Sequence, residues 1–365
     1  MNQRLEKFQS WMKENEIEVS FVTSSENVFY MSGFYTNPHE RLLALVVFQE
    51  AEPFLVCPAM EIHDAKNAGW EHEIIGFSDI DNPWELIHRS IQSRMDNIAK
   101  VAIEKEHMNV ERYENLMKLF PNAKFVSAEE KLRLLRMIKD EKELKILEEA
   151  CSLADYAIEF GVSEIKEGKS ELDVLNAIEY ALKQKGVTEM SFSTMVLTGA
   201  NAASPHGNPG NNKIQKGDLV LFDLGVVVDR YCSDITRTVA YGDINDKQKE
   251  IYDTVLKAQL AALEVSKPGV TAQEVDLTAR RIIADAGYGE YFPHRLGHGL
   301  GISVHEYPSL TETNPLVIQE GMVYTIEPGI YVPGIAGVRI EDDVYITSNG
   351  ARTLTKYPKE LQIIQ

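Results

Sequence analysis

A pattern in this chain recurs 101 positions further on. Gly168, Ser170, Asp173, Val174 and Gly186 are answered by Gly269, Thr271, Glu274, Val275 and Gly287. In both copies a Ser or Thr opens a helix and an acid follows three residues later, the arrangement of a capping box. A glycine closes each helix, where a left-handed residue is favoured. Val275, Ala279, Ile282 and Ala286 give the second helix one buried face. The polar residues keep the same order. Ser204-Pro205-His206 resembles Ser303-Val304-His305, and Phe222-Asp223-Leu224-Gly225 resembles Ile326-Glu327-Pro328-Gly329. Asp234 follows Asp223 by 11 and Glu341 follows Glu327 by 14. Such a chain folds as two similar halves. Facing each other, they would bring four carboxylates and two histidines to one centre. Chance likeness of short motifs is the competing explanation, and the shared order counts against it.

The carboxylates fall in apolar surroundings. Leu219 to Val228 is an apolar run, and Cys232 to Tyr241 continues in strand-like composition. A hairpin turning near Val228-Asp229 puts Asp223 and Asp234 side by side on one face, or one register step apart. Paired carboxylates inside Val-Leu-Phe-Asp-Leu-Gly need a shared proton, a cation or dedicated backbone donors, and a metal is the reading preferred here. The run His294-Arg-Leu-Gly-His298-Gly-Leu-Gly-Ile-Ser-Val-His305-Glu places three histidines on glycine-rich backbone that permits close approach. His294 is expected to be structural. Glu327 should end a strand before a turn. Arg339 and Glu341, two apart, should share one face of a strand, with a surface ion pair as the alternative.

One nitrogen donor with four carboxylates is an oxygen-rich set that favours Mn(II), with Fe(II), Co(II) or Zn(II) as alternatives. No thiolate joins it, which excludes a structural zinc site. Four carboxylates exceed what one catalytic ion needs. Two ions roughly 3.5–4 Å apart, sharing carboxylates and a bridging hydroxide, would use them all for hydrolysis.

The remainder sets the context. Arg4 to Glu14 reads as a helix, and Val19 to Thr23, Leu42 to Phe48, Pro53 to Cys57 and Val101 to Glu104 as strands, with a hairpin at Glu50-Ala51-Glu52. They make a small α/β unit. A charged stretch from Glu129 to Lys145 follows, then an amphipathic helix with Leu144, Leu147, Cys151, Ala154 and Ile158 on one stripe. The domain boundary is expected at 127/128, giving domains 1–127 and 128–365. A net charge of −19 argues against nucleic acid and against an anionic membrane surface. Three cysteines without CxxC spacing are no disulfide framework. With no apolar signal core and no run long enough to span a bilayer, the expected compartment is the cytoplasm.

The spacing of Asp223, Asp234, His298, Glu327 and Glu341, together with the run from His294 to Glu306, resembles the pita-bread-fold metallopeptidases, prolidase and aminopeptidase P above all. The resemblance covers nearly the whole chain. It implies an α+β protein: a pita-bread (creatinase/aminopeptidase-like) catalytic domain with a pseudo-twofold internal repeat, behind a smaller α/β domain. It implies a homodimer that releases an N-terminal residue standing before proline in short peptides, with two divalent ions per chain. Asp223 would bind one ion only, Asp234 and Glu341 would bridge, and His298 and Glu327 would complete the second ion. Glu327 would also shuttle a proton. His206 and His305 would bind substrate and steady the tetrahedral intermediate, and Arg339 would orient a bridging carboxylate. Phe192 and Val304 would wall a proline pocket. Many dipeptidases of this kind carry an Arg after His-Glu-x-Pro that clamps the dipeptide carboxylate; here Ser309 stands there. That departure implies a preference for longer peptides, with strict Xaa-Pro dipeptidase as the alternative. His39 and Arg41 are other candidate donors for that charge. Related amidinohydrolases lack the metal ligands, and a binding module of this fold would need none.

Overall fold

The computed structural model describes residues 3–95, 97–205 and 207–365, and its contacts divide the chain into Met1–Arg136 and Met137–Gln365. The first unit is built on one mixed six-stranded sheet. Its strand order is Glu73–Phe77, Phe54–Pro58, Ala44–Phe48, Val19–Val22, Lys100–Ile103, Lys124–Ser127. The three strands Val19–Val22, Ala44–Phe48 and Phe54–Pro58 are buried at every position, in keeping with runs that are apolar but for Ser20. Ala44–Phe48 and Phe54–Pro58 pair antiparallel about Glu50-Ala51-Glu52, the hairpin legible in the sequence. Against an expected boundary at 127/128, the helix Glu129–Met137 groups with this unit. Leu132 is buried, the Tyr30 hydroxyl donates to Leu135 O at 2.7 Å, and Arg136 Nη1 donates to Asn27 Oδ1 at 2.9 Å.

The second unit carries the repeat. Its first half packs helices Glu141–Ser163 and Glu171–Gln184 on a four-stranded sheet ordered Ile363–Ile364, Ile235–Tyr241, Asp218–Leu224, Met195–Thr198. The second half packs Asp246–Val265 and Ala272–Asp285 on a five-stranded sheet ordered Glu306–Leu310, Gly297–Gly299, Val323–Ile326, Asp342–Thr347, Gly350–Thr353. A separate hairpin pairs Gly329–Val332 with Ala336–Arg339.

The repeated pattern has a physical basis. Helices Glu171–Gln184 and Ala272–Asp285 are both 14 residues long. Ser170 and Thr271 each accept from the amide three residues on, at 3.1 Å. In the first copy Ser170 N–H returns a bond to Asp173 at 2.8 Å and completes the box; in the second the bond runs one way. Each helix entrance is stitched to a later extended segment in the same manner. Gly168 N–H donates to Ile214 O and Gly269 N–H to Ile318 O. The returning bonds run from Ile214 N–H to Lys169 O and from Ile318 N–H to Val270 O.

Candidate metal centre and active site

Asp223 and Asp234 are placed by one hairpin. Strands Asp218–Leu224 and Ile235–Tyr241 keep a constant register, with Asp223 opposite Thr236, and the same register runs on to Val228 opposite Tyr231. The turn is therefore Asp229-Arg230, both with positive φ (44° and 73°), the conformation of a two-residue type I′ turn. The sequence suggested a tip one residue earlier. The true tip shifts pairing by two, so Asp234 lies diagonal to Asp223 on the same face. Both are buried, at 8% and 5% exposure. Asp234 N–H donates to Asp343 Oδ2 at 2.9 Å.

His298 sits mid-strand, 3% exposed, between two glycines that nothing larger could replace. A Cβ on Gly297 would lie 1.9 Å from Thr325 O, and one on Gly299 would lie 2.2 Å from Tyr307 O. The glycines thus admit neighbouring strands. His298 Nδ1 lies 3.1 Å from Gly299 O, which fixes the proton there and leaves the Nε2 lone pair facing the site. Nε2 is 3.3 Å from Glu327 Oε1 and 3.6 Å from Asp234 Oδ2. Glu327 follows the strand Val323–Ile326, its N–H bound to Leu296 O and its Oε1 accepting from Thr325 Oγ1.

Arg339 and Glu341 do not share a strand. Ala336–Arg339 ends at the arginine and Asp342–Thr347 begins after the glutamate, because Glu341 N–H is drawn to Thr236 O at 3.1 Å. Both are buried, so the surface ion pair is excluded. Glu341 Oε2 accepts from Thr236 Oγ1 at 2.6 Å, and Arg339 Nε donates to the same hydroxyl at 3.1 Å. Arg339 Nη2 pairs directly with Asp223 and Nη1 donates to Tyr331 Oη. The arginine therefore grips the carboxylate expected to bind one ion, and reaches an expected bridge only through Thr236.

The electrostatics suit a cation. Burial, with Glu341 and Asp223 as close like charges, pushes Asp234 well above the usual carboxylate range. Burial and the charges of Glu327 and Asp223 do the same for Glu341. Burial carries Glu327 up to about 7 despite Arg339. Burial and neighbouring His305 hold His298 down at about 3, neutral at physiological pH. An unprotonated nitrogen facing two carboxylate oxygens within 3.6 Å needs a positive centre among them, a carboxyl proton or a bound cation. Donor atoms of Asp234, His298 and Glu341 lie within 4.8 Å of one another. Asp223 Oδ1 is buried with no hydrogen-bond partner among the described residues. This donor set fits divalent metal ions, and the ligand types suit Mn(II) or its neighbours.

Around the cluster, His305 is exposed, with its ring 4.3 Å from His298 and edge-on. Burial and Arg295 lower its pKa. Val304 and Phe192 are half-buried. His206 lies outside the described residues. The loop that carries it is gripped at both ends by buried Glu171, which accepts from Thr198 N–H, Asn201 Nδ2, Gly210 N–H and Asn212 Nδ2 at 2.8–3.1 Å. His294 stays off the cluster. Its Nε2 is 3.0 Å from the Tyr331 hydroxyl that Arg339 also contacts.

Four residues went unread in the sequence. Thr236 could have been found, since it alternates with Asp234 on one strand face. Tyr331 and Asp343 carry no local signal. Arg295 sits inside the histidine motif, yet its role emerges only in space: Nη1 donates to Ser309 Oγ at 3.2 Å.

Known proteins resemble this chain. Residues 145–348 match the model of metallopeptidase family M24, and residues 4–138 match the Creatinase/Prolidase N-terminal domain. The chain is 58% identical over 361 residues to a Bacillus subtilis protein that carries a provisional dipeptidase name, covering 99% of each. It is 46% identical over 362 residues to the Xaa-Pro dipeptidase of Lactobacillus helveticus, covering 99% of this chain and 98% of the relative. Among solved structures, the prolidase of Pyrococcus horikoshii superposes with a TM-score of 0.91 at 40% identity, over 99% of this chain and 100% of that one. The pita-bread architecture expected for the second unit is thereby established, as is the two-domain plan.

Proposed function

The chain belongs to metallopeptidase family M24, and on that premise we propose that it cleaves Xaa-Pro dipeptides with two divalent ions. Asp223, Asp234, His298, Glu327 and Glu341 would hold the ions, Mn(II) by preference. The ions' contribution is Lewis acidity toward a water and the scissile carbonyl. The chain's own residues do the rest. Asp234 and Glu341, both buried and held above the usual carboxylate range, would join the halves of the repeat. Glu327, the most open of the three side chains at 16% against 11% for Asp223 and 7% for Asp234, is placed to pass a proton to the leaving amine. His305 meets the substrate from the solvent side, with His206 as its counterpart. Val304 and Phe192 offer apolar surface for the proline ring.

One observation favours dipeptides over longer peptides: the Arg295–Ser309 hydrogen bond. Ser309 stands where an arginine clamp was expected and missed. Arg295 brings a guanidinium to that same position from the neighbouring segment, so a dipeptide carboxylate there gains a charge-assisted partner. The preference for longer peptides inferred from Ser309 loses its ground. The name of the Lactobacillus relative supports the same reading. Arg41 is engaged elsewhere, with Asp79 at 2.7 Å.

Steady-state kinetics on Ala-Pro and Ala-Pro-Ala test this. Wild type should be faster on Ala-Pro. Arg295→Met should lose ~10- to 100-fold in kcat/KM on the dipeptide, the worth of a charge-assisted bidentate contact, and little on the tripeptide. A wild type faster on the tripeptide would overturn the assignment. We also propose a homodimer, measurable by light scattering, and a cytoplasmic setting, in keeping with three buried free cysteines. No helix among the described residues is long and apolar enough to cross a membrane.

A further inference from the structure

Outside the metal cluster, a deeply buried ion pair joins Lys139 to Glu306, with side chains only 1% and 5% exposed and Nζ 3.2 Å from Oε2. Glu306 is the residue after His305. Its other oxygen, Oε1, accepts from Ser303 N–H at 3.0 Å. The carboxylate thus closes the segment Ser303–Glu306 on itself and fastens it to Lys139.

That segment needs fastening. The strand Gly297–Gly299 pairs His298 with Ser309, then jumps register so that Gly299 pairs with Glu306. Between Gly299 and Glu306 the chain leaves the sheet as a loop that carries Val304 and His305. Lys139 is itself fixed, its N–H donating to Gly321 O at 2.8 Å, on the backbone that leads into the strand Val323–Ile326 and Glu327. Two charges removed from water hold each other tightly, and deleting one leaves the other buried and uncompensated.

We propose that Lys139, acting through Glu306, is a positioning residue that sets the loop bearing His305 and Val304 against the metal centre. The inference rests on the reading of His305 as a substrate-binding group. Neither Lys139 nor Glu306 touches the reacting atoms. A loop displaced by about 1 Å would cost ~10- to 100-fold in turnover.

The experiment is a double-mutant cycle on the Mn(II)-loaded full chain with Ala-Pro as substrate. Lys139→Met should lower kcat/KM ~10- to 100-fold in wild type and less than about 3-fold in His305→Ala. Metal content should stay unchanged, and Lys139→Arg should recover most of the activity. In the metal-free protein, hydrogen exchange should quicken at residues 300–306 with protection elsewhere unaltered. Should Lys139→Met fail to fold, Glu306→Gln, which keeps the shape and removes the charge, runs the same cycle. Equal losses in both backgrounds, loss of metal, or exchange that rises throughout the domain would overturn the proposal and leave His305 in place. A His305→Ala variant as active as wild type would overturn the reading of His305, and the proposal with it.

Discussion

The two halves of the second unit reach the same end by different backbones. In the first half, Asp223 and Asp234 sit on a regular hairpin with unbroken register, closed by a two-residue turn. In the second, Glu327 and Arg339 and Glu341 all lie at places where strands stop, and His298 sits beside a register shift. The segments that flank these carboxylates differ as well. Thr198 and Gly210 are held by Glu171, a carboxylate satisfied by neutral N–H donors, and the loop with His305 is held by a buried ion pair. What the halves share is the order of functional groups along the chain and the stitched helix entrances. A duplicated frame can be kept while the backbone under each ligand changes, provided the donor atoms still converge. The regular half supplies two short aspartates. The irregular half supplies glutamates at points where strands end or begin.

Arg339 is the place to break that comparison, because it ties Asp223 of the first half to Tyr331 of the second. Arg339→Met should destabilise the metal-free protein by about 3–5 kcal/mol, the cost of a buried carboxylate left unpaired. Mn(II) should recover much of it, since an ion replaces the lost positive charge. Thr236→Val removes the hydroxyl that Arg339 and Glu341 share and should cost about 1–3 kcal/mol. Urea unfolding with and without Mn(II) measures both, and equal effects with and without metal would separate Arg339 from the ion site.

A smaller effect appears in the pH dependence of the metal-free protein. Burial raises Glu327 to about 7 from an ordinary 4.5, and Asp343 to about 8 from 3.8. Between pH 6.5 and 8 the native state therefore binds more protons than the unfolded chain, and stability falls as pH rises. His298, held at about 3, opposes the trend only weakly, at the lower edge of that window where the unfolded imidazole still carries part of a proton. The loss should be on the order of 2 kcal/mol, and Mn(II) should remove the share of Glu327 while leaving that of Asp343. A metal-free protein whose melting temperature rises over this range would refute the charge assignment.

The helix caps sharpen the comparison on the finest scale. Ser170→Ala breaks a reciprocal box and should cost about 1 kcal/mol, whereas Thr271→Ala, with its one-way bond, should cost about half as much. Chemical denaturation resolves the two.

Much of this was legible in the sequence. Caps, glycine stops and apolar stripes are local signals, so the paired helices were readable, as were four of the six strands of the first unit; the edge strands Glu73–Phe77 and Lys124–Ser127 were not. The candidate ligands were readable because their spacing is specific and their surroundings apolar. The hairpin tip was missed by one residue because Asp229-Arg230 adopts positive φ without the glycine that marks such turns. That single step moved the pairing of Asp223 from Asp234 to Thr236. The split of Arg339 from Glu341 was invisible because Glu341 N–H donates to Thr236 O, about a hundred residues away in sequence, where the strand ends. Arg295 was missed for a related reason: its bond to Ser309 crosses between segments joined by a bulged register.

The most direct measurement is the Mn(II) content of chelator-stripped and reloaded protein, in wild type and in Asp234→Asn. Asp234 lies diagonal to Asp223 and within reach of His298 and Glu341, between the two halves. Wild type should take up two ions per chain, and the variant should lose both. A wild type that holds a single ion, or an Asp234→Asn protein that still holds two, would contradict a metal pair shared by the two halves of the repeat.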